Sequence, residues 1–250
     1  MTCWLVVIVF SALAVHRIWT SLAPPKVVNA ILLPGTLVAQ LGHVVGLLVT
    51  GGTVTDTTLI KDDDSGEPQT GGDGKSRVPV IGPVVIAMLP MLACGVAIYV
   101  VSQYMGQDIR GRMSHEGIPR FLPTTLPAFW QLLRDGVSLV EQLVEAIRGS
   151  DFRDWRTWAF LYLVVCLTVR MAPLPGTLRG AIGAIIVLGL AAALLGMLFT
   201  TKGTGPSALE RAWPLITFST ATLLFLLLAS LCVRGAVDLA KILFGQAKAA

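Results

Sequence analysis

Charge is scarce in this chain: Asp, Glu, Lys and Arg make up 14% of its 250 residues, against about 25% in soluble domains. So few charges cannot solvate a surface around 54% hydrophobic residues, which excludes an ordinary soluble globular protein. The formal net charge is only +4, and no basic block with interleaved aromatics occurs, so nucleic acid is excluded as a partner. Histidine is rarer still: His16, His43 and His115 are the three in the chain, which restricts any imidazole metal site. The cysteines Cys3, Cys94, Cys166 and Cys232 lie in apolar runs with no C-x-x-C spacing. They read as small apolar packing residues rather than a disulfide framework. The acidic stretch Asp62-Asp63-Asp64-Ser65-Gly66-Glu67 lacks the spacing of a calcium-binding helix–loop–helix.

Long apolar runs fill the space that charge leaves. Six can be drawn, at about 3–22, 27–50, 80–103, 156–172, 180–200 and 212–233, most of them near the ~17–25 residues that cross a ~30 Å hydrocarbon core. The fold class expected is an all-α polytopic membrane protein, one integral membrane domain over 1–250 whose first partner is the lipid bilayer, in the plasma (inner) membrane. No basic residue precedes the first run, so it is expected as a retained span rather than a signal peptide. Trp4, Trp19, Trp155, Trp158 and Trp213 near run ends are expected as interfacial anchors. Pro24-Pro25 predicts a break between the first two runs, and Pro34-Gly35 predicts that residues 27–33 form an irregular or separate short segment. Leu223–Leu228 is bulky enough to face lipid.

Two polar insertions interrupt the runs. Residues 51–79 predict a small β-hairpin, with 53–60 pairing with 77–80 around an acidic tip. Residues 104–155 form a polar connection containing an amphipathic helix over 126–148, opened by Thr125 and Pro127 and closed by Gly149. Its apolar positions Leu126, Trp130, Leu133, Val137, Val140, Val144 and Ile147 recur at steps of three and four. This helix either packs on its own bundle or docks a partner, with Leu126, Trp130, Leu133, Val137 and Val140 as the docking candidates.

The stretch Leu33-Pro34-Gly35-Thr36-Leu37-Val38-Ala39-Gln40-Leu41-Gly42-His43-Val44-Val45-Gly46, followed by Thr50-Gly51-Gly52-Thr53-Val54, resembles the metal-binding helix of site-2-protease-like (M50-type) membrane zinc metalloproteases. In that family the helix often reads P-G-T, two hydrophobics, H-E, hydrophobic, G/S-H, then T-G-x-x-V. Two histidines four apart share one helix face and hold zinc, and the glutamate serves as general base. Here Ala39 stands at the first histidine position, Gln40 at the glutamate, and only His43 remains. Later, Ala172-Pro173-Leu174-Pro175-Gly176-Thr177-Leu178-Arg179-Gly180 resembles the family's A-P-S-x-x-D-L-x-G, with Thr177 at the aspartate.

The resemblance implies a degenerate family member: a pseudoenzyme with no catalytic residue and no cofactor, His43 being the sole candidate zinc donor. His16 and His43 are expected ~15 Å apart in depth on antiparallel helices at ~1.5 Å per residue, too far to share a metal. Small residues mark helix-packing faces: Gly42 and Gly46 in a G-x-x-x-G, and Gly180, Gly189 and Gly196 in the fifth run. The expected function is binding of a transmembrane client or another membrane protein without cleavage, possible also as a subunit of a membrane complex. Two rivals stay open: an active, atypical zinc intramembrane protease, and a small transporter or channel component.

Overall fold

A computed structural model describes residues 2–52, 56–58, 69–71, 82–113, 125–171 and 208–246. Their helices are α1 (Thr2–Leu22), α2 (Pro25–Ile31), α3 (Leu33–Val49), α4 (Gly82–Tyr104), α5 (Gln107–Arg112), α6 (Leu126–Arg148), α7 (Trp155–Val169) and α8 (Ala208–Gln246). Three are long and apolar enough to cross a membrane, over Trp4–Leu22, Val84–Tyr104 and Trp213–Lys241. The pair α2–α3 makes a fourth if its two halves, bent by 79°, count as one span.

Six spans are not found among the described residues, and two of the expected runs are shorter or broken. The second is broken, and the fourth yields only the 15 residues of α7, about 22 Å of helix against a ~30 Å core. The fifth run, with Gly180, Gly189 and Gly196, lies outside the described residues.

The polar insertion after α3 contains two strands, β1 (Asp56–Thr58) and β2 (Gln69–Gly71), paired antiparallel with Thr57 opposite Thr70. The described part of 53–60 thus pairs with 69–71; the partner expected, 77–80, lies outside the described residues.

Local chemistry explains where α3 ends. Gly51 takes φ 77°, open to glycine at no steric cost. Its N–H donates to the Leu48 carbonyl at 3.2 Å and that of Gly52 to Leu47 at 2.8 Å, so the last turn's free carbonyls are satisfied as in a Schellman ending. The amphipathic helix begins where the sequence places it: the Thr125 hydroxyl accepts from the Ala128 N–H at 3.3 Å, Pro127 sits in the first turn, and Gly149 closes the helix.

One continuous core joins α1, α4, α6, α7 and α8 through Trp4, Ile98, Leu139, Phe160, Trp213 and Leu223. Trp4 and Trp213 are 1% and 2% exposed, so these two fill the core instead of anchoring at an interface. Trp155 and Trp158 do remain exposed. Leu223 is fully buried and Leu224 to Leu227 are partly covered, so that stretch serves packing more than lipid contact. The first and last helices are clasped: Trp19 Nε1 donates to Ser230 Oγ at 2.7 Å, and Arg234 to Ser21 Oγ at 2.9 Å.

The face that α6 buries is not the one its heptad-like ridge predicts. Leu132, Gly136, Leu139, Leu143 and Ala146 pack inward, while Leu126, Trp130, Leu133 and Val137 stay exposed. Both sets repeat at helical spacing. The inward set interleaves Gly136 and Ala146 among leucines, which lets the backbone of α6 come close to α8. A Cβ added at Gly136 would touch Leu224 Cδ1 at 3.4 Å.

Candidate functional site: the broken second span

Pro25 occupies the first turn of α2, where its missing N–H costs nothing. The chain then turns at Leu32 (φ −83°, ψ 9°) and restarts as α3, with Pro34 again in a first turn. Of the two expectations for 27–33, the separate short segment holds: it is the short helix α2, broken from α3 at a single joint at Leu32, with Pro34-Gly35 inside the new helix.

In a continuous helix the Ile31 carbonyl would accept from the Gly35 N–H. Here α7 supplies the partners: Tyr162 Oη donates to Ile31 O at 2.7 Å and Cys166 Sγ at 3.5 Å. Broken helices persist in membranes where neighbours satisfy freed backbone groups in this way. Gly35 permits the approach, since a Cβ there would collide with the Cys166 carbonyl. Thr36 steadies the restart through its hydroxyl, which donates to Leu32 O at 3.0 Å.

A polar cluster adjoins the joint. Asn29, the one asparagine in the chain, is 3% exposed. Its Oδ1 accepts from Arg170 Nη2 at 2.6 Å and lies 3.4 Å from His16 Nε2. Three elements meet there: α1 through His16, α2 through Asn29, and the end of α7 through Arg170. Sequence reasoning passed over Asn29, Tyr162 and Arg170, although a lone asparagine in an apolar run was a usable signal.

Along α3, Ala39 and Gln40 are buried at 4% and 3% exposure, and His43 is half-buried. Gly42 and Gly46 face α4 at its internal proline: a Cβ at Gly42 would fall 2.8 Å from both Leu89 O and Pro90 Cα, and one at Gly46 3.1 Å from Ile86 Cα. The opposite flank, Leu37, Leu41, Val45 and Leu48, is exposed. Thr177 lies outside the described residues.

A catalytic zinc site asks for three protein donors and an open position. Among the described residues no group of three His, Cys, Asp or Glu side chains comes together. Ala39 offers no donor atom, and a neutral amide at residue 40 accepts no proton near neutral pH. The residues on α3 do not fit a zinc ion, and no hydrolytic step is derived through one.

Of the docking candidates on α6, Leu126, Trp130, Leu133 and Val137 are exposed at 82%, 60%, 45% and 58%, and Val140 is partly covered. A further cavity of about 390 Å³ between α4, α5 and α8, lined by Ser102, Gln103, Arg110 and Phe218 among others, contains none of the residues singled out from sequence. No protein-family model, curated protein or solved structure matches the chain.

Proposed function

We propose that this chain is a catalytically silent, membrane-embedded binding protein, a degenerate relative of site-2-type proteases that holds a transmembrane segment of a client or complex partner without cutting it. The burial of Ala39 and Gln40 carries this reading: the positions that would hold and activate a metal-bound water are given over to helix packing. His43 is left as a half-buried imidazole on the face it shares with Ala39, Gln40 and Gly46, roughly opposite the exposed flank of Leu41 and Val45. Among the described residues none hydrogen-bonds its ring, so it is suited to meet one polar group on an incoming apolar helix. The reading requires a bilayer but no particular membrane, and it needs no cofactor.

The test combines metal analysis with cross-linking. Purified protein should hold far less than one zinc per chain, and a photo-cross-linker at Val44, next to His43 and only partly covered, should trap a transmembrane peptide less well in His43→Ala. Stoichiometric zinc together with cleavage of a membrane substrate, lost in His43→Ala, would overturn the proposal in favour of an atypical protease.

A second reading, a small transporter component, is favoured by one observation. The α2–α3 joint next to Asn29, His16 and Arg170 puts a broken span beside ionisable groups, as in transporters. Ion flux in proteoliposomes that vanishes in Asn29→Leu would support it over the binding role.

A further inference from the structure

The outward face of α6 poses a problem of solvent. Its inward face rests on α8, with Gly136 against Leu224. Leu224 lies within the apolar stretch Trp213–Lys241, only about 4.5 Å along the axis from its midpoint. The middle of α6 is therefore level with a run long and apolar enough to cross a membrane. Yet the far side of α6 carries exposed charges, Arg134 and Glu141 at its middle and Glu145 and Arg148 toward its end, and charge facing hydrocarbon is expensive and rarely left uncovered. With Trp130, Leu133, Val137 and Ser138, the central Arg134 and Glu141 line a groove of about 400 Å³.

The central pair of charges has a symmetry that indicates what covers it. Arg134 and Glu141 are seven residues apart, on one face and about 10.5 Å apart along the axis, too far to pair within the helix. Among the described residues neither has an ionic partner. Their midpoint falls between Val137 and Ser138. A two-fold rotation about that point lays a second α6 antiparallel on the first and sets each Arg134 opposite the other copy's Glu141. Such a self-complementary patch is what an isologous dimer requires. The short Ser138 side chain at the centre lets the helices come close, and the charges are neutralised in pairs where lipid would leave them bare.

We infer that the chain forms a homodimer through antiparallel α6 helices, joined by two reciprocal Arg134–Glu141 ion pairs. This contact is independent of what α3 binds.

The experiment uses the full chain in phosphatidylcholine vesicles, with Cys3 and Cys232 replaced by serine and Ser138→Cys added near the two-fold axis. Mild oxidation should give a disulfide-linked dimer. R134E or E141R alone sets like charges face to face and should lower the cross-linked fraction about tenfold or more. Mixing the two reversed chains restores complementarity and should return the cross-link as a heterodimer, as should R134E/E141R in one chain. A Ser138→Cys chain that stays monomeric overturns the inference, as does a mixture no better than the single reversals. The same cysteine linking to a different protein in native membranes instead of to its own copy also overturns it.

Discussion

Replacing Gly42 by alanine puts a methyl group into a contact that has no room for one. The added Cβ would sit 2.8 Å from Leu89 O, 2.8 Å from Pro90 Cα and 2.9 Å from Ala93 Cβ. Two of these are backbone atoms of α4, so relief requires one helix to move against the other. Glycine to alanine in a helix gains about 1 kcal/mol of propensity, while overpacking costs about 1–3 kcal/mol. The steric term wins, because three atoms obstruct the methyl and none of them can rotate away. The difference, a net loss of up to about 2 kcal/mol, lowers the thermal midpoint by up to roughly 8 °C in a chain of this size. Two controls calibrate the series. A Cβ at Gly235 meets nothing within 4 Å, so Gly235→Ala should keep the propensity gain and raise the midpoint. At Gly46 the nearest atom is Ile86 Cα at 3.1 Å, so Gly46→Ala should fall between the two. Unfolding followed by circular dichroism in one detergent reads all three. If Gly42→Ala raises the midpoint as Gly235→Ala does, the close approach of α3 and α4 is wrong.

Tyr162→Phe removes the hydroxyl that donates to Ile31 O at 2.7 Å. It should cost about 0.5–1.5 kcal/mol and speed amide exchange around the Leu32 joint; unchanged exchange at Thr36 would contradict the bridge. Asn29→Leu deletes the acceptor of Arg170 Nη2 and should cost about 1.5–3 kcal/mol, as for bonds to charged groups, whereas Asn29→Asp keeps an acceptor and should unfold later than the leucine variant. Chelator treatment should leave the thermal midpoint unmoved, since α3 lacks a donor set for zinc; a fall after dialysis against chelator would expose ligands elsewhere. Thr125→Ala removes the cap on α6 and should cost about 1 kcal/mol, seen as earlier exchange in its first turn.

The limits of α6 were legible because capping chemistry is local: Thr125, Pro127 and Gly149 each act within one turn. Its buried face was not, because Leu132, Leu139 and Leu143 repeat with the same period as Leu126, Leu133 and Val137. Only the surface of α8 chooses between the two ridges. The Pro24-Pro25 and Pro34 signals located a break in the second run, but which carbonyl it frees and what donates to it depend on Tyr162, more than a hundred residues away. Trp4 and Trp213 misled for a related reason. Proximity to a run's end suggests an interface, whereas burial depends on neighbours that hydropathy alone does not identify. The candidate site was half visible: Ala39, Gln40 and His43 could be read along α3, while the meeting of His16, Asn29 and Arg170 needed three helices in place.

The clasp between the first and last helices has a consequence for biogenesis. Trp19 finds its acceptor on Ser230, 211 residues later, so a helix that leaves the ribosome early waits for one made long after it. Until α8 is threaded, α1 stands in the bilayer with an indole N–H and the Ser21 hydroxyl lacking their eventual mates. A nascent chain stalled before Ala208 leaves that seam open, and the clasp closes only when the two helices meet.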